Sequence, residues 1–177
     1  MKRRILLLSV FAAFFISTSV VFAADRLVPS VYATIQAGID AAMAGDTVIV
    51  EPNIYTGTGN KNLDFDGEAI TVRSTNPNDP LVVASTVIDC ENSGRGFYFH
   101  SGEGPNSVIS GLTITNGYVY DANGGGIYCS GSSPTIRNCT ITGNRADGRN
   151  GNGCGSGDPG CELRVFTGLY RGKRADS

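Results

Sequence analysis

Two stretches of this chain can be laid over each other at an offset of twenty-seven residues. Gly111-Leu112-Thr113-Ile114-Thr115-Asn116 falls on Asn138-Cys139-Thr140-Ile141-Thr142-Gly143, Ile109 on Ile136, and Gly124-Gly125-Gly126 on Gly151-Asn152-Gly153. A period of this length, built from short β-forming segments and glycine turns, is the signature of stacked repeat units. The rest of the chain has the same texture. Residues 46–50, 63–65, 70–74, 86–89, 96–100 and 107–110 are brief β-branched or aromatic runs bounded by Gly, Pro, Asn or Ser, with residues 27–30 as a lead-in strand. Residues 55–62 and 76–80 read as loop and turn. A β-sandwich would use similar strands joined by hairpins, but it leaves the offset unexplained.

One segment changes period. Ile35, Ile39, Ala42 and Met43 stand at i, i+4, i+7 and i+8, an apolar helical stripe with Thr34 as N-cap and Gly45 as stop. It is the one helix that the sequence announces. The end of a stack of strands exposes apolar side chains and unpaired edges, and a short amphipathic helix there would cover both.

The chain opens differently. Lys2-Arg3-Arg4, an apolar run over residues 5–15 and the small-x-small exit Val21-Phe22-Ala23 have the form of a signal peptide cleaved before Ala24. Ile16-Ser17-Thr18-Ser19 interrupts the run below the ~20 residues that a membrane span needs. Without residues 1–23 there remain eleven Lys+Arg against sixteen Asp+Glu, a formal charge of −5. That balance excludes the basic footprint of a nucleic-acid binder. Five cysteines (Cys90, Cys129, Cys139, Cys154, Cys161) in an exported chain leave at least one unpaired. Their pairing cannot be read from spacing. No zinc knuckle occurs, and His100 is the single histidine.

Tyr32-Ala33-Thr34-Ile35-Gln36-Ala37-Gly38-Ile39-Asp40-Ala41-Ala42 followed by Gly45-Asp46-Thr47-Val48-Ile49-Val50 resembles the opening of right-handed parallel β-helix proteins of the pectin-lyase-like superfamily. Gly124-Gly125-Gly126-Ile127-Tyr128 and Thr142-Gly143-Asn144-Arg145-Ala146 resemble the repeats of polymorphic outer membrane proteins. The resemblance covers residues 26–150 and implies three short parallel sheets per coil. Ile109, Leu112, Ile114, Ile127, Ile136, Cys139 and Ile141 are then interior candidates, and Asn138 a candidate for an internal amide stack. Asn138-Cys139-Thr140 also has the form of a glycosylation acceptor. Past Asn150 the repeat decays: residues 151–177 carry a net +1, against −6 for residues 24–150. The expected organisation is a signal peptide at 1–23, an all-β right-handed parallel β-helix with an N-terminal amphipathic capping helix at 24–150, and an aberrant tail at 151–177, as in a truncated or frame-shifted solenoid.

The residues that bear chemistry are scattered. A β-helix lyase needs clustered carboxylates for Ca²⁺ and a basic proton acceptor. Asp64-Phe65-Asp66-Gly67-Glu68 is the best acidic cluster, yet an Asp-Gly turn explains it as well. His100 reads as a strand-end residue; it has no Asp-Asp pair to work with, and the one Arg-x-Lys element, Arg171-Gly172-Lys173, lies in the tail. A glycosidase needs two carboxylates ~5–9.5 Å apart, which sequence cannot place. Arg73, Arg95 and Arg137 are candidates to line a groove for an acidic glycan, and Tyr118, Tyr120 and Tyr128 to stack on sugars. Gly124-Gly125-Gly126 lacks the lysine and hydroxyl of a phosphate loop. The expectation is a non-enzymatic, secreted or cell-surface module, structural, adhesive or glycan-contacting, with no cofactor, metal or catalytic residue assigned. Its expected partners are an extracellular polysaccharide or glycan and a second copy at the open C-terminal end. The alternative is the N-terminal part of a polysaccharide lyase or hydrolase.

Overall fold

The computed structural model describes residues 23–147. The signal peptide expected at 1–23, all but its last residue, and the tail at 151–177 with Cys154 and Cys161 lie outside those residues. Within them the chain is mostly short strands in parallel sheets. The first sheet has the order β1 (Asp25–Val28), β2 (Thr47–Val50), β4 (Thr71–Ser74), β7 (Val108–Ser110) and β11 (Thr135–Arg137). A second runs β12 (Thr140–Thr142), β8 (Thr113–Thr115), β5 (Thr86–Asp89) and β3 (Asn53–Tyr55). Two-stranded sheets pair β10 (Ile127–Cys129) with β6 (Phe97–Phe99) and β13 (Arg145–Asp147) with β9 (Tyr118–Tyr120). Every pairing between these strands is parallel.

The twenty-seven-residue offset is the register of three of these pairs. Ile109 aligns with Ile136, Ile114 with Ile141 and Val119 with Ala146. The backbone repeats as well. Gly111 and Asn138 hold φ +70° and +54°, and Asn116 and Gly143 hold +55° and +66°. These are left-handed corners, which Gly and Asn tolerate best, between one strand and the next.

Alternation along each strand sends one side chain inward and the next outward. Val48, Val72, Ile109 and Ile136 form one buried row across the first sheet. Tyr55, Ile88 and Ile114 form another across the second, and Leu63, Phe97 and Ile127 a third. All join a single core, where Phe65 meets Phe97 and Phe99 edge-on. Each such row removes several branched or aromatic side chains from water, worth about 1.5–3 kcal/mol apiece. Leu112 and Cys139 are buried in the same core, and Ile141 packs half-buried against it.

Several expectations need correction. The first helix, α1 (Ile35–Asp40), is shorter than its apolar stripe. Thr34 caps it, Ile35 and Ile39 are buried, but Met43 lies beyond the helix and is 55% exposed. Gly38 lets the helix close on β1 and β2, since a Cβ there would stand 3.0 Å from Val28 and Val48. A second helix, α2 (Pro80–Ser85), occupies a segment read as following a turn. Asp79 caps it, Pro80 opens it, and it packs on β5 and β8. Residues 63–65 form no strand; only Leu63 bridges Phe97. Tyr55, read as the start of a loop, ends the strand Asn53–Tyr55, which pairs with β5. Asn138 is at a half-exposed corner and donates to Asn78 Oδ1 at 2.9 Å. A buried amide stands instead at Asn144, which accepts from Gly117 N–H at 2.7 Å and donates to Ile114 O at 3.0 Å.

Candidate functional site

The outward face of the β6–β10 sheet collects more chemistry than any single motif suggests. In β6, Phe97 and Phe99 point into the core, so Tyr98 must point out. In β10, Ile127 and Cys129 are buried and Tyr128 points out by the same rule. Register places Tyr98 beside Tyr128, with ring centroids 5.4 Å apart and planes 15° from parallel. The strands come this close because Gly96 has no side chain; a Cβ there would stand 2.5 Å from Ile114 and 2.9 Å from Gly126 O.

Arg95 precedes this sheet and lies over both rings, 5.2 Å from each centroid, within cation–π range. Its Nε donates to Asn123 O at 3.1 Å, which fixes the guanidinium plane. His100 follows β6, its ring 4.1 Å from that of Tyr98. The bridge between Leu63 and Phe97 brings Asp64 alongside, and His100 Nε2 lies 2.7 Å from Asp64 Oδ2. Arg95, Tyr98, Tyr128, His100 and Asp64 therefore form one continuous outer strip.

Sequence singled out four of these five residues separately and missed Tyr98. The signal was a second offset, of thirty residues, that sets Gly96-Phe97-Tyr98-Phe99 on Gly126-Ile127-Tyr128-Cys129. Other candidates do not converge. Arg73 and Arg137 flank Ser110 in register on the first sheet, away from Arg95. Tyr118 belongs to β9, where its hydroxyl donates to Asp147 at 2.9 Å and Arg145 lies 5.8 Å from its ring. That hydrogen bond holds the Tyr118 phenol above its usual range, while the hydrogen bond from Arg145, and after it that from Tyr118, holds the Asp147 carboxyl below its own. Tyr120 is exposed on the same strand.

The acidic cluster is a turn. Asp66 N–H donates to Asp64 Oδ1 at 2.9 Å, and Asp66 and Gly67 both have positive φ. Below it lies Glu103, a residue without any sequence signal, buried to 1% exposure. Its carboxylate accepts from Gly67 N–H, Ser101 N–H and the Ser132 hydroxyl. Burial alone would raise its pKa, but these donors overcome the desolvation and hold it low. Among the described residues, no group of three or more His, Cys, Asp and Glu side chains is placed to hold a metal ion.

Compared with family models, with curated proteins and with solved structures, the chain matches none. Its chemistry has to be read from the strip itself. Two stacked phenols, crossed by a guanidinium, set two hydroxyls and a cation on one outer strip. Hydroxyls and a guanidinium in this arrangement can hydrogen-bond polyhydroxyl and anionic groups. The three thiols among the described residues are buried away from the strip. Burial pushes Cys90 and Cys129 up to about 12 and Cys139 up to about 11, so they stay protonated and inert inside the core.

Proposed function

We propose that this chain is part of an exported right-handed parallel β-helix, and that it serves outside the cell as a glycan-contacting module. The β-helix reading is supported by the return of the chain to each sheet one strand further on, at a fixed register of twenty-seven residues in three pairs. In that reading α1 caps the first coil, and a second copy docks at the sheet edges formed by β11 and β12. Export rests on the basic, apolar and small-residue pattern of residues 1–23.

The observation that carries glycan contact is the in-register pair Tyr98 and Tyr128 under Arg95. The test is a binding panel of neutral and acidic polysaccharides, read by affinity electrophoresis or calorimetry. An acidic polysaccharide should be retained. Tyr128→Ala and Arg95→Gln should each weaken retention about fivefold, in line with ~1 kcal/mol for a stacked or cation–π contact. Failure to bind any member, or binding indifferent to both variants, defeats the reading.

One observation favours a second reading, the N-terminal part of a polysaccharide lyase or hydrolase. His100 and Asp64, 2.7 Å apart at the end of the same strip, form a carboxylate–imidazole pair of the kind used for proton transfer. Release of unsaturated uronate, measured in the ultraviolet and abolished by Asp64→Ala, would establish a lyase. Reducing-sugar release abolished by the same variant would establish a hydrolase.

A further inference from the structure

We propose that Asp46 is a receptor for the amino terminus created when residues 1–23 are removed: cleavage of the Ala23–Ala24 bond places the new α-ammonium of Ala24 in an ion pair with the buried Asp46 carboxylate. The proposal rests on the export reading and adds to it a structural consequence.

Two independent lines meet at one residue. The sequence puts the cut after Ala23, from the exit pattern Val21-Phe22-Ala23. The geometry puts Ala24 N at 2.7 Å from Asp46 Oδ1, with Asp46 only 1% exposed. Ala24 and Asp46 stand opposite each other one step before the β1–β2 register, and Thr47 N–H donates to Ala24 O at 2.9 Å. Ala23 is exposed. The scissile bond thus joins exposed Ala23 to Ala24, the first residue tied into the sheet.

Asp46 is prepared for a cation. Its Oδ2 accepts from Met43 N–H at 3.0 Å and Arg26 Nη2 at 2.8 Å, and these donors, with Ala24 N–H, hold its carboxyl ionised. Arg26 reaches it with one nitrogen only, and its Nε is buried without a hydrogen-bond partner among the described residues. Asp25, the next charged residue on β1, is exposed. Hydrolysis adds water across the peptide bond. The oxygen joins the Ala23 carbonyl carbon, and the electron pair of the broken C–N bond stays on Ala24 N. At neutral pH the products are a carboxylate on the departing peptide and an ammonium on Ala24. A neutral amide donor to the ionised Asp46 becomes a cationic one, so a direct attraction between opposite charges is added to a hydrogen bond whose acceptor already carries charge.

The test expresses the full chain in an exporting bacterial host and sequences the amino terminus of the released protein. It should begin at Ala24. Its α-amine is then labelled at pH 7 with a limiting amine-reactive reagent. An ordinary α-amine, with pKa about 7.7–8.0, labels readily. The Ala24 amine should label at least tenfold more slowly, and Asp46→Asn should restore the ordinary rate. Should Asp46→Asn not fold, a mature chain carrying one extra glycine before Ala24 serves instead: its displaced amine should label at the ordinary rate. Retention of the uncut chain, or a product beginning elsewhere, overturns the processing step. Ordinary labelling of a product that does begin at Ala24 overturns the ion pair alone.

Discussion

Ser132 donates its hydroxyl to the Glu103 carboxylate at 2.7 Å, deep in the protein and twenty-nine residues away in sequence. The other carboxylate oxygen accepts from Gly67 N–H, thirty-six residues away in the opposite direction. One side chain therefore ties together turns from three successive passes of the chain.

This tie has a pH dependence of definite sign. The folded pKa of Glu103 is held below its ordinary value of 4.5. The stability it contributes is complete above that ordinary value and is lost as pH falls through the lowered one. Asp46 and Glu91, lowered by their own donors, act in the same direction. The thermal midpoint should fall as pH drops below about 4.5. Glu103→Gln should cost roughly 2 kcal/mol at pH 7 and flatten part of that acid slope. Melting curves between pH 7 and pH 3 measure both effects, and an unchanged slope in the variant would assign the acid sensitivity elsewhere.

Asn144 makes a comparable internal tie. Its amide bridges Gly117 N–H and Ile114 O inside the protein. Asn144→Ala should leave Gly117 N–H without this acceptor, take one donor from Ile114 O, and cost about 1–3 kcal/mol in urea unfolding. Asn144→Asp keeps the acceptor but sets a carboxylate against a carbonyl, and should cost at least as much.

What could be read from the sequence divides by range. The pairing of Ile109 with Ile136 and of Ile114 with Ile141 was legible, because the same local pattern recurs and identical patterns stack. The inward positions followed from alternation. Glu103 was not legible: Ser101-Gly102-Glu103-Gly104 has the look of a solvated turn, and only contacts with Gly67 and Ser132 bury it. Asn144 and Asn138 occupy similar contexts, and the choice of the wrong one reflects corner geometry that no spacing encodes. At the candidate site, Arg95, Tyr128, His100 and Asp64 were visible one at a time. Their convergence depends on a pass of thirty rather than twenty-seven residues, which brings Tyr98 under Tyr128.

The second helix did leave a signal. Asp79-Pro80 is a cap followed by proline at the first helical position, although the β-branched Val82 and Val83 favour a strand. Packing on β5 and β8 decides the outcome, helped by the Thr113 hydroxyl, which donates to Val83 O at 2.8 Å. Asp79→Ala should cost about 1 kcal/mol. Leu81→Gln, at an 80% exposed position, should be silent within ~0.5 kcal/mol. Guanidinium unfolding of the two variants separates a capped helix from an apolar loop, for which the order of effects would reverse.

Site variants need a stability control. Tyr98 is half-exposed and its neighbours in β6, Phe97 and Phe99, are fully buried. Phe97→Ala should cost about 3–5 kcal/mol. Tyr98→Ala should cost about 1 kcal/mol, chiefly through the lost stack on Tyr128. A Tyr98→Ala protein that melts near the parent but no longer retains glycan would place the loss in binding rather than folding.

Gly111, Asn138 and Gly143 all sit at left-handed corners, yet they should answer substitution differently. At Gly143, with φ +66°, the nearest atom to an added Cβ is Thr115 Oγ1 at 3.2 Å, so Gly143→Ala meets backbone strain of about 1 kcal/mol and little else. Asn138→Gly removes an exposed hydrogen bond and relieves that strain, so it should be neutral within ~0.5 kcal/mol. At Gly111 the same backbone strain is joined by a collision, because an added Cβ would strike Pro77 and Ser74 Oγ in the turn that leads to α2. Gly111→Ala should therefore cost about 3 kcal/mol or more. The repeat that places an asparagine at 138 would permit one at 111 on backbone grounds; the neighbouring turn forbids it. Equal losses for Gly111→Ala and Gly143→Ala in urea titration would show that this turn yields, and that the packing of residues 74–77 is looser than the contact implies.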